Sequence, residues 1–247
     1  MLRILALSTA TPEVRPGEAL AVRAVWHDPL GGRGLRWRWR LWTRAAADDP
    51  RACAGPPGAS SWGPGRQTPG ELLAAELAPG TETERTLVVY AIACPAMDSV
   101  IDLREGRLVC PQGVGSEAFR RVTVRATGAL NRPPPIAAWT LDQSGRSIPL
   151  EDGASVTAGP LSLTLTPGDG AAEAFDGGSE SLMASVYVST GSVAPPRVVT
   201  EPGVVAPMAF RWTPGRVLSG GEVARVWAVL RDQRGGETVR SVTVTGR

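Results

Sequence analysis

The chain has no lysine, so all 26 of its basic residues are arginine, and it has one histidine and three cysteines. The bias towards arginine has two explanations, a GC-rich coding sequence or selection for bidentate phosphate binding. A Ser-His-Asp triad or a histidine-bearing zinc site would have to use His27, which lies at a predicted strand end, far in sequence from any cysteine. Neither Gly-x-Ser-x-Gly nor Cys-x-x-Cys occurs. We therefore expect no enzyme and no zinc site, and we interpret His27 as a turn residue.

Long apolar runs are also absent. No segment approaches the roughly 18 apolar residues that a membrane span requires. After Arg3 only residues 4–7 are apolar, which is too short for the core of a signal peptide. We expect any leader, and any lipid anchor on it, to have been removed ahead of Met1. The formal net charge of +2 argues against a nucleic-acid partner, which would call for a strong positive excess.

Glycine and proline are abundant instead. The 29 glycines and 22 prolines lie between short apolar runs, as expected of many short strands joined by turns. No segment has the periodicity of a long amphipathic helix, so we predict an all-β fold. The predicted strands cover residues 2–8, 19–27, 35–42, 86–93, 119–126, 136–141, 161–166, 182–190, 207–212, 222–231 and 237–245.

The most informative of these strands is Leu-Arg-Trp-Arg-Trp-Arg-Leu-Trp, residues 35–42. Its period-two alternation places Trp37 and Trp39 on one face of an extended chain and the arginines on the other. Two tryptophans on the inner face can anchor two packed sheets. The strand therefore predicts a β-sandwich.

The outer face of the same strand is our best candidate for a ligand surface. It carries Arg36, Arg38 and Arg40, with Trp42 at its end. Such a row is suited to an acidic polymer or a sugar-rich envelope component. The alternative is a solvated face whose arginines pair with carboxylates on neighbouring strands.

The length of the chain suits two domains, each with its own core. Residues 129–135 contain the run Asn131-Arg-Pro-Pro-Pro, which cannot continue a sheet and forms a semi-rigid linker. We place the first domain at 1–128 and the second at 136–247. The first domain has a Pro- and Gly-rich insertion at 44–86, interpreted either as a functional surface or as a poorly ordered insertion.

The three cysteines allow several pairings. Cys94 follows a predicted strand and Cys110 precedes another, so a bridge between them would pin the intervening loop. Closing a loop of about 15 residues stabilises a fold by about 3 kcal/mol in the chain-entropy model. We favour Cys94–Cys110, while a bridge from Cys53 to either of them and three reduced thiols remain open alternatives.

Four acidic residues lie close together in the second half, in a stretch rich in glycine. Hard oxygen ligands on a flexible loop are what calcium prefers, so this loop is a candidate calcium site and calcium is the one cofactor considered. The spacing fits no EF-hand, and the alternative is a solvated acidic loop. The four residues are Asp169, Glu173, Asp176 and Glu180.

Two phrases carry a resemblance to known families. They are His27-Asp-Pro-Leu-Gly-Gly ahead of the tryptophan strand, and Val226-Trp-Ala-Val-Leu-Arg-Asp-Gln-Arg-Gly-Gly236 ahead of Val-Thr-Val244. Both are similar to strand-turn-strand phrases of PKD-like and related bacterial Ig-like domains. The whole chain, from its Pro-Glu-Val-Arg-Pro-Gly-Glu18 phrase onward, resembles exported two-domain lipoproteins of myxobacteria and their relatives. The resemblance implies two Ig-like (PKD-like) sandwiches in tandem and a place in the periplasm or on the outer-membrane surface.

The expected function is a non-catalytic binding or structural module of the bacterial cell envelope. Its partner would be another envelope protein or a surface polymer. The alternative is an accessory subunit of a larger surface or secretion-type assembly, with the 44–86 insertion as its docking element.

Overall fold

The protein is described by a computed structural model that covers residues 2–29, 35–43, 72–73, 83–95, 102–104, 107–110, 115–157, 159–175, 177–215, 218 and 220–247. At residues 19, 35–43, 72–73, 102–104 and 107–109 the description is of the backbone. Every regular element of the described chain is a β-strand, which confirms the all-β prediction. The chain divides into two compact units, Met1–Arg132 and Pro133–Arg247.

The first unit contains ten described strands. They are β1 (Arg3–Thr9), β2 (Glu13–Val14), β3 (Ala19–Leu20), β4 (Val22–His27), β5 (Leu35–Thr43), β6 (Leu72–Leu73), β7 (Glu84–Pro95), β8 (Asp102–Arg104), β9 (Arg107–Val109) and β10 (Ser116–Arg125). One sheet has the order β2-β10-β7-β5, and β1 pairs with β4. Two further pairs, β3 with β6 and β8 with β9, are antiparallel.

The core of the first unit lies between these sheets. It joins the buried faces of β1 and β4 to those of β7 and β10, because alternate residues of each strand are apolar and point inward. The buried set is Leu2, Leu7, Val14, Leu20, Val22, Ala24, Leu87, Val89, Ala91, Ala93, Val122 and Val124.

The buried carboxylate of Glu13 ties β2 to the end of β10. Its Oε2 accepts a hydrogen bond from the backbone N–H of Asn131 at 2.8 Å, and its two oxygens each lie 3.2 Å from the guanidinium of Arg125. A buried charge requires partners of this kind. The sequence predicted a turn over residues 11–17, so the parallel strand β2 is a correction. Two residues are too few to show a periodicity.

The second unit contains twelve described strands. They are β11 (Ile136–Gln143), β12 (Arg146–Pro149), β13 (Ala154–Val156), β14 (Leu161–Pro167), β15 (Ala174–Phe175), β16 (Gly178–Ser179), β17 (Met183–Val188), β18 (Ser192–Ala194), β19 (Arg197–Val199), β20 (Met208–Thr213), β21 (Val223–Arg231) and β22 (Glu237–Gly246).

Ten of these strands form two five-stranded sheets, with the orders β12-β11-β14-β20-β18 and β13-β22-β21-β17-β19. Taking β11, β14, β17, β18, β20, β21 and β22 as A to G, the sheets read ABED and CFG, the strand order of an Ig-like sandwich. The β2-β10-β7-β5 sheet of the first unit is arranged like the β13-β22-β21-β17 part of the second of these sheets. In each sheet a short strand runs parallel to the last long strand of the unit, β2 to β10 and β13 to β22.

The described core of the second unit contains three aromatic residues, Trp139, Phe210 and Trp212. Trp212 is fully buried, and its Nε1 donates to the carbonyl of Thr190 at 3.0 Å. The sequence placed the strand around Trp227 at the centre of a sheet because both of its faces are apolar. This is confirmed, since β21 lies between β22 and β17.

Candidate binding surfaces

The arginine-rich strand is β5, which pairs antiparallel with β7 along its whole length. Positions 37, 39 and 41 lie in register with residues of the core cluster, namely Ala93, Ala91 and Val89. The intervening positions lie in register with β7 residues outside that cluster. These pairs are Arg36 with Cys94, Arg38 with Ile92, Arg40 with Tyr90 and Trp42 with Val88. The register therefore follows the alternation that the sequence predicts.

An exposed aromatic residue lies on the same side of this sheet. Phe119 of β10 pairs with Tyr90, and 51% of its surface is exposed. The guanidinium of Arg121 lies 5.8 Å from its ring centroid, within cation–π range. Tyr90 is buried, and its hydroxyl donates to Glu117 Oε2 at 2.7 Å. Residues 87–95 of β7 are buried, so the accessible side chains described beside Phe119 belong to β10.

The connection between β7 and β10 is closed by a disulfide. Cys94 and Cys110 are bonded, with their Cα atoms 5.6 Å apart, as the sequence analysis favoured. Gly115 lies against this bond, because a Cβ at that position would collide with the Cys110 sulfur. Between the cysteines, β8 and β9 form a small hairpin that the sequence did not predict. Cys53 lies outside the described residues.

The other residues singled out in the first unit have mixed outcomes. His27 is the last residue of β4 and lies in register with Arg3. Within the predicted insertion at 44–86, Leu72–Leu73 forms a strand that pairs with β3, and residues 84–86 begin β7. The remainder, apart from residue 83, lies outside the described residues. The docking role of the insertion stays a prediction.

The acidic loop of the second unit has a buried centre. Glu180 has none of its surface exposed, and its Oε2 accepts the backbone N–H of Glu173 at 2.9 Å. Arg234 Nη1 lies 3.7 Å from Glu180 Oε1 and 3.6 Å from Glu173 Oε2. Burial raises the pKa of Glu180 above its usual 4.5, an effect that the Glu173 N–H and Arg234 oppose and that Asp232 reinforces.

The cation beside these carboxylates is therefore an arginine of the same chain. Asp169 is exposed at the start of the loop, and Asp176 lies outside the described residues. Among the residues that are described, no three His, Cys, Asp or Glu side chains come together as a metal site. The calcium site stays a prediction, because one of its four proposed ligands is not described. Nor does the described chain hold any helix with the length and apolar character needed to cross a bilayer.

No protein-family model and no curated protein matches the chain. Among solved structures it is similar to Escherichia coli alpha-2-macroglobulin activated by porcine elastase, with a TM-score of 0.28 and 14% identity over 100% of this chain and 22% of that one. It is also similar to the D0-D1 domain of intimin, with a TM-score of 0.27 and 10% identity over 99% and 100% of the two chains. The Yersinia pseudotuberculosis adhesin InvE gives a TM-score of 0.26 and 10% identity over 99% and 58%. At these scores the likenesses assign no function, and the fold assignment rests on the strand order.

The sequence contained a signal for Phe119 that the sequence analysis did not use. In Phe119-Arg-Arg-Val-Thr-Val the alternation puts Phe119 and Arg121 on the side opposite to Val122 and Val124, so an aromatic residue falls on the polar face of a strand. No pattern in the sequence indicated that Arg234 would lie beside the carboxylates of Glu173 and Glu180. Its carboxylate partners come from a different loop, and a turn sequence does not reveal which loop lies beside it.

Proposed function

We propose that the chain is a non-catalytic binding module of the bacterial cell envelope, and that it binds through the side of the β2-β10-β7-β5 sheet that carries Phe119. The observation that carries the proposal is the half-exposed ring of Phe119 with the guanidinium of Arg121 over it. The strand register puts positions Arg36, Arg38 and Arg40 of β5 on the same side of the sheet. An aromatic ring with a guanidinium over it can stack on a sugar ring or an apolar group and pair with an anion at the same time.

The charge of this surface selects the class of partner. Glu117 is the one acidic residue of β10 at these positions, and it accepts a hydrogen bond from Tyr90. On the same side Arg125 pairs with Glu13 and Glu84, whereas Arg121 lies over the exposed ring. We propose that Arg121, with the arginine positions of β5, favours carboxylate or phosphate groups, while the ring favours an apolar or sugar-ring contact. We propose an acidic surface polymer or an acidic patch on another envelope protein as the partner.

The cellular location is part of the proposal. Disulfides persist in oxidising compartments, and the bond between Cys94 and Cys110 fits a protein that works outside the cytosol. The resemblance of the sequence to exported lipoproteins points the same way. We propose the periplasm or the outer-membrane surface.

Biolayer interferometry on the immobilised chain tests this function, with alginate and polyglutamate as acidic probes and dextran as a neutral one. We expect the acidic probes to bind and dextran not to bind. Replacing Phe119 and Arg121 with serine should weaken binding about tenfold, because one lost cation–π pair and its contact area together correspond to about 1.4 kcal/mol.

A matched control is available in the second unit. Val223 is exposed, and Arg225 lies 6.0 Å from the ring of Trp227, so V223S/R225S removes an equivalent apolar side chain and guanidinium elsewhere. This variant should bind as the parent does. Equal loss in both variants, or no binding of either acidic probe, would contradict the proposed surface.

A further inference from the structure

Three connections of the second unit meet at one end of its sandwich. Residues 168–182 join β14 to β17, residues 200–207 join β19 to β20, and residues 232–236 join β21 to β22. The backbone N–H of Gly203 donates to the carbonyl of Glu180 at 2.8 Å, and Arg234 reaches Glu173 and Glu180. We call residues 168–175, 177–182, 199–205 and 232–236 the loop end.

Exposed apolar side chains are concentrated there. The described residues include six large hydrophobic side chains with substantial exposure, and four of them belong to the loop end. They are Phe175 at 38%, Val199 at 59%, and Val204 and Val205 at 42% each. Single exposed apolar residues need no explanation, but a group confined to one end of a domain marks an interaction surface.

The scaffold that presents these side chains is held in place by hydrogen bonds. Asp232 Oδ1 accepts the N–H groups of Arg234 at 2.8 Å and Gly236 at 2.6 Å, which fixes the turn. The guanidinium of Arg234 lies 6.0 Å from the ring of Phe175. Leu182 N–H donates to Thr200 Oγ1 at 3.0 Å, which joins the other two connections. A surface fixed in this way loses little entropy when a partner binds.

The accessible charge of the loop end is acidic. Its described residues include four carboxylates that are at least partly exposed, against one arginine, Arg234. The carboxylates are Asp169, Glu173, Glu201 and Asp232. An apolar group within an acidic surface is complementary to an apolar side chain flanked by positive charge.

We propose that the loop end is a protein-recognition surface whose partner is another protein that presents apolar side chains flanked by arginine or lysine. This surface is separate from the Phe119 side of the first unit. The two surfaces belong to different units, and each is proposed to select its own class of partner.

A backbone-amide NMR titration of the full chain tests the proposal. The probe is a short synthetic peptide in which leucine and arginine alternate, and the comparison peptides replace either arginine with glutamate or leucine with serine. We expect the leucine–arginine peptide to shift the amides of Phe175, Val204 and Gly235. Each comparison peptide should bind at least about tenfold more weakly, since each lacks one of the two complementary features.

Variants locate the binding. F175S/V205S should lower the affinity for the leucine–arginine peptide about tenfold, whereas V223S, which removes an exposed valine elsewhere, should leave it unchanged. The proposal is overturned if the leucine–glutamate peptide binds as well, if both variants bind alike, or if no peptide binds at millimolar concentration. Sedimentation velocity tests for self-association. If the parent chain self-associates and F175S/V205S abolishes this, the occupant of the surface is a second copy of the chain, and the assignment to a different protein is overturned.

Discussion

The two units close their last pair of long strands in different ways. In the first unit, the chain between β7 and β10 contains the β8–β9 hairpin and is held at its base by the disulfide. In the second unit, β21 and β22 are joined by a short turn in which the Asp232 carboxylate accepts two backbone N–H groups. One sandwich therefore uses a covalent bond where the other uses hydrogen bonds and the ion pair between Arg231 and Glu237.

The units also differ in their cysteines. The second unit contains none, while the first contains the bonded pair Cys94 and Cys110. The described core of the second unit includes the large side chains Trp139, Phe210 and Trp212. We therefore expect packing and hydrogen bonds to stabilise the second unit, whereas the disulfide adds to the packing of the first.

The largest loss of stability is expected from a substitution in the core of the second unit. Trp212→Ala removes a fully buried indole and its hydrogen bond to Thr190, and should lower the free energy of unfolding of that unit by about 3–5 kcal/mol. Urea denaturation followed by tryptophan fluorescence measures it. Phe175→Ala, at an exposed position, is the control and should change stability by less than about 0.5 kcal/mol. Similar losses in the two variants would contradict the packing account.

A smaller effect is expected from the disulfide. Replacing both Cys94 and Cys110 with alanine should destabilise the first unit by about 3 kcal/mol and leave the second unit unchanged, since the bond closes a loop within the first. Differential scanning calorimetry separates the two transitions. Equal shifts of the two transition temperatures would show that the units do not unfold separately and would contradict the difference proposed between them.

The smallest expected effect is a pH dependence of the stability of the second unit, which arises from Glu180. Burial raises its pKa in the folded state, so the folded chain binds this proton more tightly than the unfolded chain does. The stability that this group contributes is complete below about pH 4.5 and is lost as the pH rises through the folded pKa.

Glu180→Gln should therefore gain stability relative to the parent as the pH rises from 4 towards 7. Thermal unfolding of the second unit across this range measures the difference. Glu201→Gln, which makes the same substitution at an exposed position, is the matched control. A parent-to-variant difference that does not change with pH would contradict the assignment.

The long strands could be predicted from the sequence because alternation is unambiguous over eight or nine residues, as in β5 and β21. The Cys94–Cys110 bond was favoured because each cysteine adjoins a strand. The short strands β2 and β13 could not be predicted, since each is defined by a parallel pairing with a strand far along the chain. The contact between Glu180 and Arg234 could not be predicted either, because the two residues lie in different connections.

The central claim is that the chain is an exported binding module whose first unit is closed by a disulfide. Peptide mapping of the protein from its native host, alkylated without prior reduction, tests this most directly. We predict that Cys94 and Cys110 are recovered in one cross-linked peptide pair. Recovery of both as alkylated thiols would contradict the claim and place the protein in a reducing compartment.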